Sequence, residues 1–113
     1  MYVIHEPDEA SIEKAGVKGI VFPSKERFPG AEFAVVTTET GQESSIIENE
    51  STFCYYVIEG SGQFAIEGDL DEIVAGDLVI VPAGKVFTFK GKLKMLLVSM
   101  PPWREEQEET VRI

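Results

Sequence analysis

The chain has 113 residues, of which 43% are hydrophobic, so it is long enough and apolar enough to bury one core. Its formal net charge of −10 repels phosphate backbones and anionic lipid, so we expect neither a nucleic-acid partner nor a membrane partner. A single cysteine, Cys54, excludes a disulfide within the chain. The first ten residues lack the pattern of a signal peptide. We therefore expect a cytoplasmic protein with one domain over residues 1–113.

The N-terminal segments are short and broken by turn residues. Residues 2–4 (YVI) predict a weak strand. Residues 7–16 predict a short helical turn, with Asp8 as its N-cap and Gly16 as its stop. Residues 19–22 (GIVF) predict a second strand, which Pro23 ends.

The rest of the chain is rich in Val, Ile, Phe, Tyr and Thr, the residues that favour strands. Six strands are predicted, at 32–40, 54–59, 63–68, 77–82, 86–90 and 92–100. Gly60-Ser61-Gly62 predicts a hairpin turn between two of them. The run REEQEE at 104–109 predicts a solvated acidic C-terminal tail. Many short strands without a helical period predict an all-β sandwich, jelly roll or barrel.

Two stretches, YYVIEGSGQFAIEG and AGDLVIVPAGKVFTF, give the chain a resemblance to the cupins over about residues 32–103. The glycine and proline framework of both cupin motifs is present, at Gly41, Gly60, Gly76, Pro82 and Gly84. The resemblance implies a cupin-type double-stranded β-helix, that is, a jelly-roll barrel. It also implies a homodimer, to which the strands at 2–4 and 19–22 contribute.

Cupins hold a divalent metal with histidines and a glutamate, and the resemblance assigns those positions to other residue types here. The glutamate position is Phe53, and the histidine position of the second motif is Phe87. The remaining positions are Ile47 and Asn49, or Ile46 and Glu48 if the longer motif spacing applies. Phenylalanine and isoleucine have no donor atom for a metal. We therefore expect no metal and no cofactor.

The aromatic residues that replace the metal ligands either fill the barrel or line an apolar pocket. Strand alternation places Tyr55 on the same face as Phe53, where its hydroxyl would be a polar group for a ligand. The candidate ligand-binding residues are Glu48, Asn49, Phe53, Tyr55, Phe87 and Phe89.

Three functions remain open from the sequence. The first is a metal-free barrel that binds a small molecule such as a sugar or an organic acid. The second is a metal-independent isomerase, epimerase or lyase, in which Tyr55 and Glu48 or Glu50 would supply acid and base. The third is a structural or interaction protein whose barrel is closed by Phe53 and Phe87. The sequence assigns no catalytic residues.

Overall fold

Nine β-strands make up the regular structure of residues 2–111, the part of the chain that this computed structural model describes, together with one 3₁₀ turn at Glu105–Gln107. The strands are β1 (Ile12–Lys14), β2 (Val17–Val21), β3 (Glu32–Thr38), β4 (Ser45–Glu48), β5 (Thr52–Ile66), β6 (Asp69–Val74), β7 (Leu78–Val81), β8 (Val86–Met100) and β9 (Glu108–Val111). Within this part of the chain, no helix is long and apolar enough to cross a membrane.

Strands β5 and β8 form the centre of the fold, since each has 15 residues and they pair along their whole length. Their antiparallel register runs from Thr52↔Met100 to Ile66↔Phe87, with a register shift between Val57 and Glu59. Because each strand is about twice the usual length, one half of each strand lies in one sheet and the other half in a second sheet.

The halves of β5 and β8 recruit different neighbours, and this produces two facing sheets. The first sheet has the order β1-β2-β3-β8-β5-β7, and the second has the order β9-β4-β8-β5-β6. Two sheets that share long bent strands form the jelly-roll barrel predicted from the sequence. The all-β, cupin-type fold prediction is confirmed.

The core lies between the two sheets, on the faces that strand alternation turns inward. From β5 these are the odd-numbered residues Phe53, Tyr55 and Val57, which are 4% exposed or less. The fully buried side chains Phe64, Phe87 and Met95 fill one end of the interior. The barrel is therefore solid at that end.

Two N-terminal predictions were wrong. The segment 7–16 contains no helical turn, because Ile12–Lys14 pairs with Val17–Gly19 as a hairpin. Its two-residue turn is Ala15–Gly16, in which both residues have positive φ, the conformation that tight hairpins need. Residues 2–4 form no strand in the structure.

Two later predictions were also wrong. Gly60-Ser61-Gly62 is no turn, since all three residues continue β5 opposite Leu93, Lys92 and Gly91. The acidic segment after Trp103 is no solvated tail, since its last residues form β9 and pair with β4. Charge alone suggested exposure, but Glu108 and Thr110, which lie on the same face of β9, line a cavity between the two sheets.

Gly60 is predicted to be indispensable for the close pairing of β5 with β8. A Cβ atom at Gly60 would lie 2.0 Å from the Lys92 carbonyl oxygen, whereas one at Gly76 would meet nothing within 4 Å. Both glycines have nearly the same φ, +96° and +97°, so G76A is the matched control for backbone strain. We expect G76A to lower the free energy of unfolding by about 1 kcal/mol and G60A by about 1–3 kcal/mol more. Urea unfolding of both variants measures this, and equal losses would contradict the steric explanation.

Candidate functional site

A partly enclosed cavity of about 150 Å³ occupies the other end of the barrel, between the inner faces of the two sheets. Strand pairing aligns its wall in rows across the first sheet, for example Tyr55, Leu97, Ala34 and Val21. Small residues such as Ala34 and Ser99 leave space at this end, whereas phenylalanine rings fill the interior at the solid end. The polar residues on its lining are Lys14, Glu32, Gln42, Ser44, Tyr55, Ser99, Trp103, Glu108 and Thr110.

Aromatic rings form the inner end of the cavity. Tyr55 contacts Phe53 and Phe89 with ring centroids 6.2 and 5.7 Å apart, both in edge-to-face geometry. Phe89 also contacts Phe64 of the filled end at 5.1 Å. Such edge-to-face contacts fix the ring orientations, so the inner end is an apolar wall of defined shape.

The Tyr55 hydroxyl is the polar group in this aromatic wall. The side chain is 3% exposed, and no hydrogen bond to it forms among the described residues. Burial raises the pKa of Tyr55 well above its ordinary value, and the negative charge of Glu108 adds to the effect. The hydroxyl is therefore protonated at neutral pH and offers a hydrogen bond to whatever enters the cavity.

Three side chains meet where the cavity opens. The Lys14 Nζ lies 2.5 Å from the Glu108 Oε2, and the Trp103 Nε1–H donates to the Glu108 Oε1 at 3.2 Å. The Lys14 Nζ also lies 5.0 Å from the centroid of the Trp103 ring, within cation–π range. Lys14 is on β1 and Glu108 is on β9, so the pair joins the outermost strands of the two sheets. The carboxylate is thus held at a fixed position on the cavity wall.

Gln42 presents an amide on the opposite part of the lining. Its Nε2 donates to the carbonyl oxygens of Ser44 at 2.8 Å and Phe87 at 3.3 Å. Both partners are acceptors, so they orient the amide nitrogen and leave the amide oxygen as an acceptor. With the Tyr55 hydroxyl, the cavity therefore holds a fixed donor and a fixed acceptor.

The structure brings three of the predicted ligand-binding residues together on the cavity lining, namely Phe53, Tyr55 and Phe89. Phe87 lies in the core instead, against Phe53 at a centroid distance of 5.9 Å. A role of Phe53, Tyr55 and Phe89 in ligand binding stays a prediction.

Glu48, Asn49 and Glu50 lie outside the cavity lining. The buried Glu48 carboxylate accepts hydrogen bonds from the backbone N–H groups of Glu50 at 2.8 Å and Ser51 at 2.7 Å. It therefore stabilises its own turn. Asn49 Nδ2 donates to the Gln107 carbonyl at 3.3 Å, and Glu50 pairs with Arg104 at 3.2 Å.

Sequence reasoning missed the residues that the C-terminal segment and the first hairpin contribute. Glu108 lies in the run 104–109, whose acidic composition predicted exposure to solvent, and Lys14 lies in the segment predicted as a helical turn. The four residues Glu108–Val111 (EETV) show no alternation of charged with uncharged residues, so their sequence does not predict a strand. Gln42 directly follows the first motif glycine, Gly41, but no sequence pattern marked it.

Comparisons with known proteins identify the fold. No protein-family model and no curated protein matches the chain. Among solved structures, a Streptomyces Pac13 variant with uridine matches with a TM-score of 0.88 and 27% identity, over 100% of this chain and 92% of that one. Another Pac13 structure, at 26% identity, describes that protein as a nucleoside dehydratase.

Two further matches show the fold alone. Ectoine synthase from P. lautus gives a TM-score of 0.78 at 17% identity, over 99% of this chain and 91% of that one. The cupin domain of Schizosaccharomyces pombe Cnp3 gives 0.66 at 15% identity, over 80% and 69%. This chain has the cupin fold.

The side chains of this chain do not fit the metal that the cupin fold often carries. At two of the usual ligand positions, Phe53 and Phe87 pack edge to face and have no donor atom. The Glu48 carboxylate binds two backbone N–H groups of its own turn and lies outside the cavity lining. Within residues 2–111, no group of three His, Cys, Asp or Glu side chains could hold an ion. The described residues at these positions therefore do not form the metal site of the fold.

The stability of this protein is predicted to fall more steeply with rising pH in the alkaline range than it would without the Tyr55 hydroxyl. Its pKa is raised in the folded chain, so above the ordinary value of 10.0 the unfolded chain releases a proton that the folded chain keeps. The free energy of unfolding then falls by up to about 1.4 kcal/mol per pH unit. We expect Y55F to remove the part of this fall in the free energy of unfolding that comes from Tyr55.

Urea unfolding between about pH 9 and pH 11 tests this expectation. The control is Y56F, which changes the neighbouring tyrosine on the outer face of β5 and keeps the buried hydroxyl. If the wild type and Y55F lose stability with the same slope, the Tyr55 hydroxyl does not lie in the apolar site described.

Proposed function

We propose that this cupin binds a nucleoside-like small molecule, represented by uridine, in its cavity. One observation carries the proposal. An apolar, ring-lined cavity, with a tyrosine on its lining whose hydroxyl makes no hydrogen bond within the described residues, lies in a chain that matches, over its full length, a protein solved with uridine. Pockets that bind small molecules combine such apolar walls with a few oriented polar groups.

Pac13 variants in which a histidine is replaced by glutamine or a tyrosine by phenylalanine have also been solved with uridine. The cavity of this chain is lined by the same residue types, with Gln42, Tyr55 and Phe89 among them. A ligand of the same class would therefore meet similar side chains here.

The size of the cavity favours a ligand with one ring inside and the rest near the opening. A dry cavity of roughly 150 Å³ in another protein holds one benzene ring, and this cavity has about the same volume. Most ligand sites are larger, about 300–1,000 Å³. A pyrimidine ring fits the inner aromatic end, and a ribose would then lie near Lys14, Trp103 and Glu108.

The residue types on the cavity lining favour binding over the proton transfers of a dehydratase. Gln42 cannot exchange a proton at neutral pH, and Phe89 has no exchangeable group. Tyr55 stays protonated because burial raises its pKa. The cavity therefore offers hydrogen bonds more readily than it offers an acid and a base.

A metal-independent lyase is the second candidate, because Tyr55 and Glu108 both line the cavity. A protonated tyrosine and a carboxylate on one cavity lining are an acid and a base. In such an enzyme Glu108, and neither Glu48 nor Glu50, would be the carboxylate.

Uridine binding is predicted to depend on the Tyr55 hydroxyl. We expect wild-type protein to bind uridine in isothermal titration calorimetry and Y55F to bind it about 2- to 12-fold more weakly, the worth of one neutral hydrogen bond. Y56F, on the opposite face of the same strand, should bind like wild type. Absence of uridine binding would contradict the proposal. Mass spectrometry of the recovered nucleoside separates the candidates, since loss of one water would favour the lyase.

We also propose a homodimer, with a second copy covering the outer face of the first sheet. Two cross-strand rows on this face contain no charged residue. The first row is Ile80, Cys54, Val98 and Phe33. The second row is Leu78, Tyr56, Leu96, Val35 and Ile20. Leu78 is 63% exposed and Ile80 is 55% exposed. For a chain of net charge −10, an uncharged apolar face is where a second copy meets the least repulsion.

The homodimer is predicted to dissociate when a charge is placed on this face. We expect L78K to be monomeric in sedimentation-velocity ultracentrifugation at concentrations where the wild type is dimeric. L70K is the matched control, because Leu70 is equally exposed at 63% but lies on β6 of the other sheet. A dimeric L78K, or a monomeric wild type, would contradict this interface.

A further inference from the structure

We propose that Glu108 selects the ligand by its vicinal hydroxyl groups, so that the site takes ribonucleosides and discriminates against deoxyribonucleosides. This inference rests on the proposed function, because it specifies the class of ligand that the same cavity takes. Glu108 would contact the ribose at the opening of the cavity, whereas the aromatic inner end would contact the pyrimidine ring.

The Glu108 carboxylate has acceptor capacity left. An ionised carboxylate offers about four acceptor sites on its two oxygens. Lys14 uses one on Oε2 and Trp103 uses one on Oε1, so each oxygen keeps a site. Two adjacent oxygens that each accept one more hydrogen bond match the two hydroxyl groups of a cis-diol.

The position of Glu108 fits the part of a nucleoside that carries this diol. The side chain is 12% exposed and lies on the cavity lining, where β9 and β1 meet at the opening. With the pyrimidine ring against Phe53 and Phe89, the ribose lies at the opening. A carboxylate that accepts from a ribose hydroxyl is a recurrent mode of nucleoside recognition in other folds.

The same contacts prevent the carboxylate from turning away. Lys14 holds one oxygen and the Trp103 indole holds the other, so the plane of the carboxylate is set before a ligand arrives. A group fixed in its binding geometry loses little conformational entropy on binding. Lys14 also compensates the charge, so a neutral diol meets a carboxylate that is already stabilised.

The site disfavours a phosphorylated ligand for the same reason. The Lys14 ammonium is committed to Glu108, and Lys25 lies 3.8 Å from the carboxylate of Glu32, the other acid on the lining. A phosphate would enter beside two carboxylates in a chain of net charge −10. The ligand is therefore a neutral ribonucleoside and not a nucleotide.

Calorimetric titration of full-length protein with uridine, 2′-deoxyuridine and 3′-deoxyuridine tests the inference. Hydrogen bonds to a charged acceptor are worth about tenfold to a hundredfold in affinity. We expect each deoxynucleoside to bind at least about tenfold more weakly than uridine. In E108Q this ratio should fall to near one. In E109Q, which changes the exposed neighbour on the opposite face of β9, the ratio should stay as in the wild type.

The outcomes separate the two proposals. If uridine and both deoxynucleosides bind wild type equally well, the diol inference is overturned and nucleoside binding stands. If none of them binds, nucleoside binding is overturned and the inference falls with it. The comparison within wild type requires no variant, so a loss of stability in E108Q cannot imitate either result. Uridine 5′-monophosphate serves as the fourth ligand, and binding as tight as that of uridine would overturn the exclusion of phosphate.

Discussion

The continuous pairing of β5 with β8 is the interaction on which the rest of the structure depends. Because both strands span two sheets, their backbone hydrogen bonds fix how the sheets face one another. Every inward residue of β5 is then placed opposite a defined residue of β8, such as Tyr55 opposite Leu97. The pairing is close where the strands bend, at Gly60 and Gly91, since neither position has room for a side chain. The cavity follows from this geometry, because residue size along the inner faces decides which end is filled.

At the cavity end of the barrel, side-chain contacts and not backbone hydrogen bonds link the two sheets. Strands β1 and β9 are the last strands of their sheets and do not pair with each other. The ion pair of Lys14 with Glu108 spans the gap, and the Trp103 indole holds the same carboxylate. A gap bridged by side chains can admit a ligand without breaking a strand ladder. The polar groups that hold the opening are thus also the ones that a ligand would meet first.

The fold was predictable from the sequence, and part of the cavity was as well. Alternation in FCYYV assigns Phe53 and Tyr55 to the inner face of one strand, and the motif spacing places Phe87 and Phe89 in its partner. The bounds of the strands were harder to predict, because a glycine that permits two strands to approach closely cannot be distinguished in the sequence from a glycine in a turn. Gly60 and Gly62 were interpreted as a hairpin for this reason. Glu108 could not be assigned, since its partners Lys14 and Trp103 are brought together by tertiary pairing and not by spacing.

The unpaired hydroxyl of Tyr55 is best explained by a partner that enters the cavity. Among the described residues no side chain accepts a hydrogen bond from this hydroxyl, although Tyr55 lines the cavity. The neighbouring positions show that the cavity accepts phenylalanine, since Phe53 and Phe89 contact the same ring. A ligand in the cavity would supply the acceptor that the wall lacks. In an apolar surrounding that bond also discriminates strongly, because a ligand without an acceptor leaves the hydroxyl unpaired. Tyr55 at the inner end and Glu108 at the opening would then recognise opposite ends of one molecule.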